Sequence, residues 1–165
     1  MFQFLRRLDA VSGAISESVG RRIMAFSNKT DRHGACSGSG MEIQSYRDLK
    51  VWQKGMTLAK DVDLLASRLT RDRHFELASQ LRRSSSSIPF NIAEGWARPT
   101  KVYINHLSIA LGSEAELQSE LRHAANTNLA KPDEIESLLA RTSEIGRMLR
   151  GLVRSLREHL AKQGH

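Results

Sequence analysis

The sequence predicts an all-α protein, an antiparallel up-down-up-down four-helix bundle. Three observations carry that prediction. Leu, Ala, Glu, Arg and Ser dominate the composition, which favours helix over strand. Four segments between Tyr46 and Lys162 space their apolar residues three and four apart, the repeat of one helical face. The breaks between those segments are short, about three to six residues, so successive long helices must fold back alongside one another.

The first helix is expected from about Tyr46 to Leu69, with Ser45 as N-cap and Asp48 three residues on, close to a capping-box pattern. Val51, Leu58, Val62, Leu65 and Leu69 form one apolar stripe. Leu49, Trp52, Met56, Ala59 and Ala66 form a second, roughly 110° around the helix. The second helix is expected over Phe75 to Ala97, with Leu77, Leu81, Ile88 and Ile92 as its spine. Pro89 lacks a backbone donor and is expected to bend it. The third follows Pro99 with Thr100 as N-cap and runs to about Asn126, turning Ile104, Leu107, Leu111 and Leu121 inward. Gly112 is expected to let a neighbouring backbone approach. The fourth starts near Pro132, a residue suited to a first helical turn, and reaches about Lys162. Its inner residues Ile135, Leu138, Thr142, Ile145, Leu149, Leu152 and Leu156 alternate strictly by three and four.

A chain of 165 residues suffices for one domain with a true core. Apolar content of 40% and charged content of 26% are ordinary for a soluble globular protein. No apolar run approaches the roughly 20 residues of a membrane span. The single cysteine, Cys36, excludes an internal disulfide framework, and a reducing cytoplasm is the simplest setting. The chain changes character at Met41. Before it, Asp31 to Gly40 is a Gly/Ser-rich breaker of linker composition. Further upstream Phe2, Leu5, Leu8, Val11, Ile15 and Val19 recur at roughly helical spacing. Arg6-Arg7 stands there without an uninterrupted apolar centre, unlike a secretory signal. Residues 1–40 are therefore either a targeting or partner-binding helix or a poorly ordered to short-helical extension outside the functional domain. The second reading is favoured because the linker isolates them, leaving 41–165 as the bundle domain.

The net charge is +7 and the pI about 10.1. Residues 1–40 hold six basic and three acidic residues, and the remainder nineteen and fifteen. Such a field suits an anionic partner and also occurs in proteins with none. The sharpest candidate is on the fourth helix, where Arg147, Arg150, Arg154 and Arg157 fall within about 80° of one another and span about 15 Å. Asp133, Glu134 and Glu136 open the same helix, so its charge order also suits the macrodipole without any ligand, and Glu158 partly offsets the stripe. No aromatic interleaves it, so base stacking is not indicated. The expected contact is with the RNA or DNA backbone, tolerant of sequence, weak per subunit and multiplied by copies.

Arg82, Asn91, Glu94 and Glu116 are expected to form a buried polar network around Pro89 rather than a catalytic site. A lone carboxylate pair with no positioned histidine is poor acid–base machinery. His33, His74, His106, His123, His159 and His165 show no zinc-binding spacing. Neither a nucleophile elbow nor a phosphate-cradling glycine loop is present. The chain is read as non-enzymatic, with no cofactor or metal.

Several stretches carry a family resemblance. They are Tyr46-Arg47-Asp48-Leu49-Lys50-Val51-Trp52-Gln53, Gln80-Leu81-Arg82-Arg83, Ser87-Ile88-Pro89, Asn91-Ile92-Ala93-Glu94-Gly95, and Leu107-Ser108-Ile109-Ala110-Leu111-Gly112-Ser113 with Glu116-Leu117. From about Gln44 to His159 the chain resembles the 23S ribosomal-RNA intervening-sequence protein family. Ser84-Ser85-Ser86 replaces the small apolar residues usual there, Phe90 a small polar one and Glu114 an apolar one. The resemblance implies a four-helix bundle assembled as a ring-shaped homo-oligomer, a pentamer. Similar bundles serve as retroelement accessory proteins that engage nucleic acid and a reverse transcriptase. The second stripe of the first helix fits such a ring, with Leu49, Trp52 and Met56 expected between subunits. The predicted function is electrostatic nucleic-acid binding. The alternative is a protein-interaction scaffold, or an accessory subunit of a polymerase such as a reverse transcriptase, whose basic face is merely solvated.

Overall fold

The structure, a computed structural model, describes residues 43–163. The upstream extension lies outside the described residues. Four long helices follow a short 3₁₀ turn at Tyr46–Asp48: α1 Lys50–Arg71, α2 Phe75–Trp96, α3 Thr100–Asn126 and α4 Pro132–Gln163. No strand occurs among the described residues. No described helix is long and apolar enough to cross a membrane.

The capping box closes the 3₁₀ turn and not the long helix. Ser45 Oγ accepts from Arg47 N at 3.3 Å, while Asp48 Oδ2 accepts from Ser45 N and Gln44 N, both at 2.8 Å. Leu49 then turns extended (φ −72°, ψ 120°) and α1 begins at Lys50 with no side-chain cap. The break directs Leu49 inward, where it is only 3% exposed. Thr100 is likewise the first residue of α3 and not its cap; Pro99 holds the cap position without a side-chain hydrogen bond.

Each helix contributes one stripe to a continuous core. Leu58, Val62 and Leu65 of α1 meet Leu81, Ile88 and Ile92 of α2, Leu107, Leu117 and Leu121 of α3, and Ile145, Leu149 and Leu152 of α4, all essentially shielded from solvent. Full burial of each such side chain contributes about 1.5–3 kcal/mol. Thr142 occupies one apolar position of α4 because its hydroxyl donates to Leu138 O at 2.7 Å.

Contacts between helices follow regular ladders. Gly55 meets Pro89, and Asp63 meets Arg82, across α1 and α2. Asn91 meets His106, and Ser87 meets Ser113, across α2 and α3. Lys54–Glu144 (2.9 Å), Asp61–Arg141 (2.6 Å) and Arg68–Glu134 join α1 to α4. These pairs are partly solvated, so each adds at most about 1 kcal/mol.

α2 continues through Pro89, whose ring lies against Gly55. The serines before it turn their hydroxyls back on the helix: Ser85 Oγ donates to Leu81 O at 2.6 Å and Ser86 Oγ to Arg82 O at 2.7 Å. Gly112 is not a site of close approach, since a Cβ there would meet nothing within 4 Å. The tight contacts are at Gly95, where a Cβ would lie 2.6 Å from Tyr103 Cδ2, and at Gly146, where it would lie 2.6 Å from the Glu114 carboxyl carbon.

α1 and α3 end alike. His74 N donates to Leu69 O (2.8 Å) and Leu129 N to Ala124 O (3.0 Å), bonds that form when the preceding residue is left-handed. Those residues are Arg73 (φ 69°) and Asn128 (φ 56°). Asparagine tolerates this conformation, whereas arginine is strained in it. Arg73→Gly should therefore stabilise the protein by about 1 kcal/mol after glycine's entropic cost, measured by urea denaturation; unchanged or lower stability would contradict this account of the turn.

Candidate nucleic-acid interface

The inner residues of α4 set the direction of its arginines. With Ile145, Leu149, Leu152 and Leu156 buried, Arg147, Arg150, Arg154 and Arg157 are all turned to solvent. Gly146 and Arg150 both contact Glu114 of α3, so the stripe lies on the α3 side of α4. Arg147, Arg154 and Arg157 have no carboxylate within salt-bridge range among the described residues. Arg150 differs: its Nη1 is 3.8 Å from Glu114 Oε2. The structure thus keeps the four together on one side of the helix, and among the described residues only Arg150 has a carboxylate within salt-bridge range.

The four residues expected in one polar network separate into distinct clusters. Arg82 faces α1, donating to Asp63 Oδ1 at 2.6 Å, Ser67 Oγ at 3.0 Å and Thr70 Oγ1 at 3.3 Å. Glu116 instead accepts from Arg83 at 3.0 Å. Asn91 Nδ2 donates to Ser87 O at 2.9 Å and Ser87 Oγ at 3.1 Å, and its Oδ1 lies 3.4 Å from His106 Nδ1. Glu94 is exposed, its carboxylate 4.0 Å from the same His106 nitrogen. One step along a helix rotates a side chain by about 100°, which sends Arg82 to α1 and Arg83 to α3.

The candidate interface residues also differ among themselves. Leu49 belongs to the core of its own chain, a correction that follows from the break before α1. Trp52 is half-buried, edge-on to Tyr46 with ring centroids 5.2 Å apart. Met56 is 40% exposed. Five further large apolar side chains lie in the open among the described residues: Leu64 at 56%, Phe75 at 59%, Phe90 at 60%, Val102 at 39% and Ile109 at 53%. Phe90 follows the proline that packs inward, and its turn away from the core was readable from the spacing of Ile88 and Ile92. No group of histidine, cysteine, aspartate or glutamate among the described residues is placed to hold a metal ion.

The description "23S rRNA-intervening sequence protein" fits residues 47–151 of this chain. The chain belongs to that family. A similar solved structure is a protein of unknown function from the S23 ribosomal protein family of Bacteroides thetaiotaomicron, 28% identical, with a TM-score of 0.60 over 62% of this chain and 97% of that one. No curated protein matches. The family match ends at Gly151, so Arg154 and Arg157 lie beyond it.

The protein also buries two carboxylates that periodicity alone did not single out. Glu114 is 3% exposed; it accepts a hydrogen bond from Gln118 and lies over Gly146. Glu120 is 6% exposed, between α2 and α3. Its Oε2 accepts from Ser84 Oγ at 2.6 Å, and its Oε1 has no partner. The small Ser84 side chain opposite was the available signal, since it leaves room for a longer partner. Burial raises the Glu120 pKa above the ordinary carboxylate range, and the nearby Glu116 charge adds to the rise; the Ser84 hydrogen bond and Arg83 oppose it.

A pKa higher in the folded than in the unfolded chain favours folding at low pH. That contribution is complete below the unfolded carboxylate value and is lost as pH rises through the folded one. Glu120→Gln removes the charge while keeping the shape. Its melting temperature should exceed that of the wild type by a few degrees at about pH 7, with the gap closing towards about pH 4. Thermal melts across that range check it, and a gap that is absent or widens in acid would refute the burial argument.

Proposed function

We propose that this protein is a cytoplasmic, non-enzymatic homo-oligomer of up-down-up-down four-helix bundles that binds the phosphate backbone of RNA or DNA through α4. The observation that carries the reading is the exposure of Arg147, Arg154 and Arg157 on one side of a rigid helix without acidic partners among the described residues. Guanidinium groups bind phosphate oxygens in a planar fork, and the bond strengthens as water is displaced. A stripe about 15 Å long spans only a few phosphates, so each subunit binds weakly and several copies are needed for a tight complex. Contacts confined to the backbone predict little sequence preference and a steep loss of affinity with salt.

The ladders between helices support the up-down order, because residue numbers rise on one helix as they fall on its neighbour: Gly55 with Pro89, then Asp63 with Arg82. They also support assembly. Phe90 follows the Pro89 that meets Gly55 and lies between the Ser87–Ser113 and Asn91–His106 contacts. Met56, Phe90 and Ile109 are therefore level along the bundle, an apolar band suited to a neighbouring subunit in a ring. The same band favours a second reading, in which it docks another protein and the arginines are only solvated.

Fluorescence anisotropy of the full chain with labelled structured RNA and duplex DNA, over a range of salt, separates the two. We expect binding that weakens steeply with salt and falls by about tenfold or more in Arg154→Glu/Arg157→Glu. No binding at low salt would overturn the nucleic-acid reading. Light scattering tests assembly: Met56→Asp/Phe90→Asp should yield a smaller particle with native helicity, whereas an unchanged mass would place the subunit contact elsewhere.

A further inference from the structure

Among the described residues, Arg150 is the one member of the stripe with a carboxylate within salt-bridge range. That partner, Glu114, is almost wholly buried; its side chain is 4% exposed against 58% for Arg150. The carboxylate sits directly on the α4 backbone at Gly146, where any β-carbon would collide with it. Gln118 supplies one neutral donor to Oε1, and Arg150 is the cation closest to Oε2. A carboxylate held this far from water requires a compensating charge, because an isolated buried ion is strongly disfavoured. Were Arg150 to swing outward to a phosphate, Glu114 would be left uncompensated in its seat. Arg147, Arg154 and Arg157 incur no such penalty.

We infer that Glu114 sets the number of phosphates the α4 arginines engage, by retaining Arg150 as its own counter-ion. Glu114 is thus a positioning residue that never touches the nucleic acid. It trims the footprint by one contact per subunit and fixes the spacing of the remaining cations, with Arg147 separated from the Arg154–Arg157 pair. The inference rests on the nucleic-acid reading and adds to it a count that can be measured.

The count is read from the slope of log affinity against log salt, which changes by about 0.9 for each phosphate contact to duplex DNA. Four full-length proteins are compared on one labelled duplex: wild type, Glu114→Gln, Glu114→Gln/Arg150→Gln and Arg154→Gln. Freeing Arg150 by Glu114→Gln should steepen the slope by about 0.9 for each copy in contact. The double variant, which leaves no charge in the seat, should return to the wild-type slope. Arg154→Gln should make it shallower by about the same step. Circular dichroism and particle mass confirm that each variant is folded. If Glu114→Gln alone does not fold, the double variant still decides. A double variant shallower than wild type, with Arg154→Gln behaving as expected, overturns this inference alone, because Arg150 would then be a phosphate contact in the native protein. An unchanged slope in a folded Glu114→Gln also overturns it. A wild type that does not bind, or an Arg154→Gln without effect, overturns the α4 reading and this inference together.

Discussion

Leucine-rich helices can slide past one another by a turn at little cost, since one apolar stripe fits another almost equally well in several registers. Two close contacts remove that freedom here. At Gly95 the α2 backbone admits Tyr103 and His106 of α3, and at Gly146 the α4 backbone admits the Glu114 carboxylate of α3. A shift of one turn would bring a side chain where only a backbone fits. The ion pairs between helices, partly solvated and individually weak, then find their partners at the register those seats impose. That register also places the Glu114 carboxylate within reach of Arg150 on α4.

The same seats explain how α3 carries two buried acids. Glu114 and Glu120 lie six residues apart on a helix that contacts both α2 and α4. One faces α4 and is served by Gln118 and Arg150; the other faces α2 and is served by Ser84. The difference in partners produces a difference in character. Glu114 has a cation beside it, whereas Glu120 has a neutral hydroxyl, an orphaned oxygen and a pKa raised by burial. Two further buried polar atoms, Tyr103 Oη and His159 Nε2, also have no hydrogen-bond partner, and burial raises the tyrosine pKa as well. Glu120 and Tyr103 both meet α2, so two of these three unpartnered atoms sit in the α2–α3 contact, and the third is on α4.

The α4 arginines and the apolar side chains at the level of Phe90 occupy different parts of the outer surface. The arginines occupy the α3 side of α4, while Met56, Phe90 and Ile109 lie level with one another across α1, α2 and α3. This separation is what a ring requires if its subunits meet through apolar surface and present charge to a polyanion. A single chain with both surfaces exposed has area in reserve for each.

Much of this architecture was legible in the sequence because its causes are local. Apolar spacing located four helices and most inward residues of α1 and α4, down to Thr142, since helical period and burial act within a few turns of chain; on α3 it missed the buried Tyr103, Ala110, Leu117 and Ala124 and took in Leu111, which is only partly buried. Pro132 and the polar breaks marked boundaries for the same reason. The tertiary structure decided what depends on which residue arrives from far along the chain. It turned Leu49 into the core, assigned Arg82 to Asp63 and Arg83 to Glu116, and left Gly112 open while filling the space over Gly146. It also distinguished Arg150 from three otherwise similar arginines. Helical phase tells which way a side chain leaves its own helix; the charge or cavity that meets it there belongs to another helix, and only packing brings the two together.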